Sequence, residues 1–319
     1  MEKNKDVLKD VFNDLKKEIE FDLKPNETEV STMTICLKID DSIMQKKIVN
    51  KKEDAVLFNC YNIYNYLKVD SNIIDDIVFC DENGEIQNRN ILKRKKKQKK
   101  KKKVTAKKIR KDSFYNQITV VVKVSETKTI NIKLFQNGSI QMTGCDSIEN
   151  ARKSIEILFE LLNKPRYILN FKKKEIEEVK FLHLNYDHKI LSIKNITSGT
   201  VVLINCNFNI GFEINRDKLF EIISQKKSDS ILEIKKHDIH ENIDKDIPQK
   251  YMDSTYDPIR HACVNIKLNH PTMKTITIFV FESGSIIILA RSCRQIRDAY
   301  NFINVFLLTN YFNIASKNN

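Results

Sequence analysis

The chain has 319 residues, of which 41% are hydrophobic and 30% charged, a composition typical of a globular protein with enough residues for a full core. No apolar run approaches the roughly 20 residues that a membrane span needs, and the start, MEKNKDVLKD, is too charged for a signal peptide. The formal net charge of +13 is concentrated in residues 93–111, which hold fourteen Lys and Arg and no acid, so the rest of the chain is close to neutral.

The N-terminal residues have an amphipathic pattern. Apolar residues recur at spacings of three and four between residues 2 and 20, which places them on one face of a helix. We therefore expect a helical extension over residues 1–25, ended by Pro25. The apolar positions are Val7, Leu8, Val11, Phe12, Leu15 and Ile19.

In the first half, a strand over 29–39 precedes a helix over 55–69 and an apolar run at 73–80. Residues 93–111, which we call the basic arm, lie before a β-branched strand at 117–124. Because the arm is low in complexity and repels itself, we expect it to be disordered, as a phosphate-neutralising arm or a localisation signal; a solvated spacer is the alternative. Its densest part is Lys95, Lys96, Lys97, Lys99, Lys100, Lys101, Lys102 and Lys103.

The second half repeats this order of elements. Residues 199–214 predict a strand pair or one long bent strand, followed by a short helix at 216–225. A polar stretch at 226–250 reads as a loop insertion, and a strand at 261–268 follows it.

One unit occurs twice, at residues 132–162 and 279–308. Each copy contains an apolar strand ending in Phe, a tight step to Gly and Ser, a second apolar strand and an amphipathic helix. A Gly in a tight turn between apolar runs is typical of a β-hairpin. Two copies predict an internal duplication, and antiparallel strands with one long helix per half predict an α+β fold.

This order, and the residues themselves, resemble the TATA-box-binding protein family. YDPIRHACVNIKL with FVFESGSIIILA is similar to that family's second stirrup and following strands, EVSTMTICLKID to its opening strand, and LFQNGSIQMTG keeps its Thr-Gly ending. The resemblance covers roughly half of the chain. It implies two pseudo-symmetric repeats, each a curved antiparallel sheet with a helix on its convex face, joined into one saddle. The richness in Lys, Asn and Ile suggests an AT-rich genome, and the divergent copy resembles those of large DNA viruses.

The resemblance divides the chain into four parts. The inter-repeat linker contains KKKEIEEVK, which we expect to be helical or exposed. In chain order the parts are an N-terminal extension at 1–25, a first repeat at 26–163 with a Lys-rich insertion at about 81–112, a linker at 164–195, and a second repeat at 196–319 with the polar insertion at 226–250.

In this family the sheet binds the minor groove of duplex DNA, and apolar wedges partly unstack base steps. The resemblance places Phe135 and Phe281 at one wedge position of each repeat. It places Gln117 and His261 at the partner positions, where the family has Phe. Gln can hydrogen-bond a base edge and His can stack, so we expect weaker or one-sided kinking. The alternative is that both Phe are core residues facing the helices.

Contacts with the groove floor are implied in the same way. Thr28 stands where the family places Asn at the saddle centre, with Thr200 or Val201 in the second half. The family's Thr after the second hairpin strand is kept as Thr143 and replaced by Leu289. The expected groove residues are Thr28, Val30, Gln141, Thr143, Phe279 and Ile287.

Lys123 and Lys267 match a strand Arg of the family, and each would neutralise a DNA phosphate. A solvent-facing strand Lys is the alternative for either residue alone. The family's second stirrup holds the next initiation factor. Here it reads Asp257, Pro258, Ile259 and Arg260, which keeps one acid and adds a base.

No catalytic or metal-binding constellation is recognisable in the sequence. His237 and His240 lie three residues apart, but no third metal ligand is evident. Seven scattered Cys with no C-x-x-C pair predict reduced, mostly buried thiols in an intracellular protein. We therefore expect no enzyme activity, no cofactor and no bound metal.

The hypothesis from the sequence is a non-catalytic transcription initiation factor that binds and bends A·T-rich duplex DNA through the minor groove. Its expected partners are double-stranded DNA, a TFIIB-like factor and RNA polymerase, with no membrane. Its expected place is with the transcribed genome, in the nucleus or, for a viral protein, in a cytoplasmic viral factory or virion. The alternative is a protein-interaction scaffold whose basic arm alone binds nucleic acid, nonspecifically; Gln117, His261 and Leu289 favour it.

Overall fold

The computed structural model describes residues 29–49, 52–80, 86–89, 117–185, 190–225, 252–268 and 275–316. The predicted N-terminal helix, the basic arm, the polar insertion at 226–250 and Thr28 lie outside these residues. The chain divides into two compact units. Among the described residues, the first unit comprises Met33–Val201 and the second comprises residues 29–32 and 202–316.

The first unit consists of antiparallel strands with two helices. Its strands are β1 (Glu29–Ile39, whose first residues belong to the second unit), β2 (Gln45–Val49), β3 (Lys52–Val56), β4 (Ile74–Cys80), β5 (Ile86–Asn88), β6 (Gln117–Lys123), β7 (Thr129–Phe135), β8 (Ser139–Cys145), β9 (Arg166–Asn170) and β10 (Glu175–Val179). Its helices are α1 (Cys60–Tyr66) and α2 (Ile148–Asn163), with 3-10 turns at Asp41–Ile43 and Ile193–Asn195.

The main sheet of the first unit has the strand order β1–β8–β7–β6–β4–β5. Every one of these pairs is antiparallel. The pairs β2–β3 and β9–β10 are separate two-stranded hairpins. KKKEIEEVK contributes to the second hairpin, so the helical alternative for this stretch is wrong. Cross-strand pairing with 166–170 holds it extended.

The second unit has the same construction. Its strands are β11 (Ile196–Asn209, whose first residues belong to the first unit), β12 (Met252–Thr255), β13 (Cys263–Leu268), β14 (Ile276–Phe281) and β15 (Ser285–Ala290). Its helices are α3 (Arg216–Gln225), α4 (Cys293–Thr309) and α5 (Tyr311–Ile314). The strand order is β12–β13–β14–β15–β11, so residues 199–209 belong to one long strand.

Both units present the same succession of elements. The order β1, α1, β4, β6, β7, β8, α2 in the first corresponds to β11, α3, β12, β13, β14, β15, α4 in the second. Helices and antiparallel strands are segregated within each unit, which confirms the predicted α+β fold class.

The core of each unit lies between its sheet and its helices. Along β7 the burial alternates strictly, with Ile130, Ile132 and Leu134 inside. Helix α2 turns Ala151, Ile155, Leu158, Phe159 and Leu162 toward the sheet. The second unit repeats the arrangement with α4 over β14 and β15.

A hairpin with a left-handed Gly precedes each long helix. Gly138 and Gly284 have φ values of +75° and +77°. Their N–H groups donate to the carbonyls of Phe135 (2.9 Å) and Phe281 (3.1 Å). Gly is the residue that adopts this conformation without steric cost, which is why it recurs at the same step of both copies. Both helices then begin at a Ser cap, Ser147 and Ser292. No helix in the described part of the chain is long and apolar enough to cross a membrane.

Candidate nucleic-acid interface

Each sheet has one face that the helices leave uncovered, which we call the open face of that unit. Strand alternation defines it, since residues between buried neighbours point to the opposite side. In the first unit it comprises Thr34, Cys36, Lys38, Gln117, Thr119, Lys123, Thr129, Asn131, Lys133, Phe135, Ser139, Gln141 and Thr143. In the second unit it comprises Leu203, Asn205, Asn207, Asn209, Cys263, Asn265, Lys267, Thr277, Phe279, Phe281, Ser285, Ile287 and Leu289.

Phe135 and Phe281 both lie on an open face. Each is the last residue of its strand and is half-buried, whereas the preceding residues, Leu134 and Val280, are fully buried. Neither Phe belongs to the core under the helices. Both Phe stand three residues before the Gly of the hairpin, so their positions in the two units correspond.

Strand pairing brings several predicted residues of the first unit together. Gln117 lies directly opposite Phe135. Lys133 lies between Thr119 and Gln141 on the neighbouring strands. Residues directly opposite each other on one face are within side-chain contact range. Thr143 forms the next row, since it lies between Asn131 and Thr34.

The second unit has a more apolar centre. Phe279 lies between Asn265 and Ile287. Leu289 lies between Thr277 and Asn205 in the next row. By their distance from the hairpin Gly, Phe279, Ile287 and Leu289 correspond to Lys133, Gln141 and Thr143 of the first unit. The two open faces therefore differ in polarity at three matched positions.

The register corrects the position proposed for His261. The residue opposite Phe281 is Cys263, two residues later in the chain. His261 instead lies before β13, where its N–H donates to the carbonyl of Asp257 (2.8 Å) and its Nδ1 accepts from the N–H of the same residue (3.1 Å). The tight turn at Asp257 takes up these residues, so β13 begins later than the sequence suggests.

The same offset separates the two lysines predicted to be equivalent. Lys123 lies opposite Thr129, six residues before the Phe that ends β7. Lys267 lies opposite Thr277, only four residues before the Phe that ends β14. The counterpart of Lys267 in the first unit is Val121, so the equivalence of the two lysines is wrong. Both lysines nevertheless lie on open faces.

The proposed central positions are placed only in part. Val30 lies in β1 and is half-buried. Thr200 and Val201 lie in β11, where Thr200 is the more exposed. Their proposed partner Thr28 lies outside the described residues, so the central pair stays a prediction.

Two asparagines on the second open face were not anticipated. The Nδ2 of Asn205 donates to the hydroxyl of Thr32 (2.8 Å). The Oδ1 atoms of Asn205 and Asn265 are buried and have no hydrogen-bond partner within the described part of the chain. Alternation along CVNIKL and INCNF was the signal that would have found them.

The charges on the open faces are mainly positive. Lys38, Lys123 and Lys133 lie on the first open face, where the register also places the fully buried Asp76, opposite Val121. Lys38 contacts Asp41 (3.1 Å) and the carbonyl of Asn137 (2.9 Å) at the edge of that face. On the second face, Lys267 lies opposite Asp253.

Each open face also carries a thiol. Cys36 lies opposite Gln141 and Cys263 opposite Phe281. Burial raises the pKa of both thiols above the usual value, so they are protonated at neutral pH. Burial is deeper for Cys60, Cys145 and Cys206, and it raises the pKa of each to about 12.

In the ranges that the structure describes, no group of three His, Cys, Asp or Glu side chains could hold a metal. The ring of His183 lies 3.2 Å from Lys47 Nζ, and burial followed by the charge of Lys47 lowers its pKa. A cavity of about 250 Å³ borders the C-terminus of α1. Its Arg89 and Arg166 donate to carbonyls of that helix end, which is a structural cap.

Most of the chain is similar to a known viral protein. It is 30% identical over 298 residues to a protein of Acanthamoeba polyphaga mimivirus described as TATA-box-binding protein-like, across 91% of this chain and 67% of that protein. Among solved structures, it is similar to the TBP of Methanococcus jannaschii with a TM-score of 0.40 and 12% identity, covering 89% of this chain and 98% of that one. No family model matches the chain.

Proposed function

Because the chain belongs to the TATA-box-binding protein-like family, we propose that it is a transcription initiation factor that binds and bends A·T-rich duplex DNA through the minor groove. The observation that carries this proposal is the matched position of Phe135 and Phe281, which end corresponding strands on the two open faces. A sheet whose apolar side chains enter between base steps bends the duplex toward its major groove.

The two open faces would act differently on DNA. Lys133, Gln141 and Thr143 offer donors that suit the minor-groove acceptors of A·T pairs. Phe279, Ile287 and Leu289 offer an apolar surface that favours an opened, partly unstacked groove. We therefore assign hydrogen-bonded readout to the first unit and selection for easily deformed steps to the second.

We assign the contacts that position the protein on the DNA backbone to lysines. Lys123 and Lys267 would contact phosphates, although at different distances from the wedge residues, and the basic arm would add further, sequence-independent contacts. Gln117 would meet the base step beside Phe135. His261 would lie at the margin, where its exposed ring could contact a sugar or phosphate.

The organisation and partners of the protein belong to the same proposal. We interpret the two units as an internal repeat with boundaries near residues 26–163 and 196–319, and residues 164–195 as its linker. A TFIIB-like factor and RNA polymerase would be recruited to the bent promoter. The compartment would be that of the transcribed genome, which for a viral protein includes the cytoplasmic factory or the virion.

The deciding experiment measures bending and affinity together. A·T-rich and G·C-rich duplexes with end-attached donor and acceptor dyes are titrated with protein at two salt concentrations. We expect a bend on the A·T-rich duplex and tighter binding to it. Substituting both Phe135→Ala and Phe281→Ala should abolish the bend, because unstacking of each base step costs a few kcal/mol that an Ala cannot supply.

Phe171→Ala is the matched control, because Phe171 is 84% exposed and lies outside both open faces. It should leave bending unchanged. Thermal unfolding of the double variant confirms that the fold is intact. An unchanged bend in a folded double variant would refute the wedge assignment.

The same experiment distinguishes the scaffold alternative from DNA recognition by the open faces. It is favoured by the charge distribution, since the chain outside the basic arm is nearly neutral. Equal, strongly salt-dependent binding to both duplexes, without a bend, would support the scaffold and contradict specific groove recognition.

A further inference from the structure

The hairpin formed by β9 and β10 presents an apolar side to solvent. Leu169 and Ile176 stand directly opposite each other, and Tyr167 lies two residues along the same side of β9. Phe171 follows at the turn. We call these four residues the hairpin front. Tyr167, Leu169, Phe171 and Ile176 are 66%, 54%, 84% and 74% exposed.

The other two-stranded hairpin of the first unit exposes charged side chains instead. In β2 and β3, the exposed residues whose side chains are described are Lys46, Lys47 and Asp54. Lys47 stands opposite Asp54. A sheet side that meets water normally carries such residues. Several contiguous apolar residues on an exposed side are instead typical of an interaction surface.

The opposite side of the β9–β10 hairpin anchors it to α1. The Nη1 of Arg166 donates to the carbonyl of Tyr66 at the end of that helix (2.9 Å). On the same side, Ile168 is half-buried and Val179 is buried. Because this side is held against the first unit, the hairpin front stays directed toward solvent.

The turn that carries Phe171 is ordered by its own hydrogen bonds. The Oδ1 of Asn170 accepts from the N–H groups of Lys172 (3.0 Å) and Lys173 (3.2 Å). The carbonyl of Asn170 accepts from the N–H of Lys174 (2.7 Å). A surface that is ordered before binding loses less conformational entropy on association. The hairpin front is therefore prepared for a partner.

Charges of opposite sign lie at the two ends of the hairpin front. Glu178 stands opposite Tyr167 at the base, whereas the turn carries the exposed Lys172 and Lys174. The Glu178 carboxylate lies 3.9 Å from the Nζ of Lys180, too far for a hydrogen bond, so it can accept from a further cation. When two fronts pack antiparallel about a two-fold axis, the positive turn of each copy meets the negative base of the other. In that arrangement the surface is complementary to itself.

The area of the hairpin front also suits a pair of copies. A covered aromatic side chain buries about 150–250 Å², so at these exposures the front offers on the order of 500 Å². Two fronts together would bury about 1,000 Å², which is the lower bound for a specific protein–protein interface. Aromatic residues at the centre and charges at the rim are the usual composition of such an interface.

We propose that two copies of the chain form a two-fold dimer in which the hairpin fronts pack face to face and antiparallel. Leu169 and Ile176 of both copies meet at the centre of this interface. Lys172 of one copy lies against Glu178 of the other. The contact uses none of the open-face residues, so it is separate from the proposed recognition of DNA.

The test is sedimentation velocity of the full chain without DNA, at physiological salt. We expect the average sedimentation coefficient to rise with protein concentration between about 1 and 100 μM, because an interface of this area is weak. Leu169→Glu should lower the association constant about tenfold or more, since the two-fold axis brings the two new carboxylates together. Leu308→Glu is the matched control, because this α4 side chain is similarly exposed, at 58%. It should leave the association unchanged.

A charge exchange tests the antiparallel arrangement. Lys172→Glu or Glu178→Lys alone should each lower the association constant about fivefold, because like charges then meet across the interface. The two substitutions together should restore it to within about twofold. Circular dichroism of each variant confirms that the fold is intact.

Three results would overturn the proposal: a chain that stays monomeric throughout this concentration range, an association that Leu169→Glu leaves intact or Leu308→Glu removes, or single charge variants that the double variant does not rescue. DNA bending is measured separately and should persist in Leu169→Glu. Failure of the dimer is therefore distinguishable from failure of the proposed function.

Discussion

Cys36 and Cys263 connect residue chemistry to the proposed binding face. Both thiols are half-buried on open faces, and one of them directly faces a proposed wedge residue. Because burial raises their pKa, the reactive thiolate is a minor species near neutral pH. Their alkylation is therefore slow but measurable, and it reports whether the face is covered.

We expect duplex DNA to slow iodoacetamide labelling of Cys36 and Cys263 by about tenfold or more, since bound DNA excludes the reagent from the thiolate. Without DNA, the labelling rate should rise about tenfold per pH unit while the pH is below the thiol pKa. Peptide mass spectrometry at pH 7, 8 and 9 measures both effects.

The buried thiols Cys60, Cys145 and Cys206 are internal controls. Their pKa of about 12 keeps them unreactive with or without DNA. Equal labelling of Cys36 and Cys263 in free and DNA-saturated protein would contradict an interface on the open faces.

At the scale of elements, the hairpins before α2 and α4 depend on a left-handed Gly, but their surroundings differ. A Cβ at Gly138 would meet the terminal methyl group of Met44, the end of a flexible side chain. A Cβ at Gly284 would meet the backbone carbonyl oxygen of Phe212. Gly211, with a φ of +90°, has no neighbouring atom within 4 Å of such a Cβ.

Substitution by Ala should therefore rank these glycines. Gly211→Ala should cost about 1–2 kcal/mol of unfolding free energy, from backbone strain alone. Gly138→Ala should cost slightly more unfolding free energy, because the Cβ also meets Met44. The extra cost is small because the Met44 side chain can change its rotamer. Gly284→Ala should cost the most, because a backbone carbonyl cannot yield without moving its segment. Urea unfolding followed by circular dichroism measures the three values, and equal losses would refute the role of the Phe212 carbonyl.

Element type was easier to predict than element register. The repeated strand-turn-helix unit identified β7, β8 and α2 and their counterparts β14, β15 and α4, because Gly and the apolar alternation mark them locally. The predicted start of β13, at residue 261, lies two residues before its observed start at Cys263. Its start depends on the turn at Asp257, whose hydrogen bonds involve residues that the strand pattern does not include.

At the scale of the whole molecule, positive charge and shape recognition are assigned to different parts of the chain. The basic arm holds fourteen of the 55 Lys and Arg. Such a segment binds phosphates without reading sequence, and each phosphate that it neutralises adds to the salt dependence of binding. The open faces would supply bending and preference for A·T pairs.

Replacing residues 93–111 by a Gly/Ser segment of equal length should weaken DNA binding and flatten its salt dependence. The log–log slope should fall by about 0.9 for each phosphate that the arm neutralises in the natural chain. The bend on the A·T-rich duplex should persist at saturating protein. Fluorescence anisotropy at several salt concentrations, with the dye-labelled bending assay, measures both. Complete loss of binding would indicate that the arm alone holds the DNA.

The sequence left open whether Phe135 and Phe281 face the core or the open side of the sheet, but by itself it determined the repeated unit and the fold class. These follow from local rules, since Gly marks the turn and a period of two residues separates the faces of a strand. The tertiary structure decided which residues stand opposite one another. It put Cys263 rather than His261 across from Phe281. It also placed Lys123 and Lys267 at positions that do not correspond in the two units. Register depends on how many residues each turn takes up, and that number is set by packing and hydrogen bonds between distant segments rather than by the strand sequence.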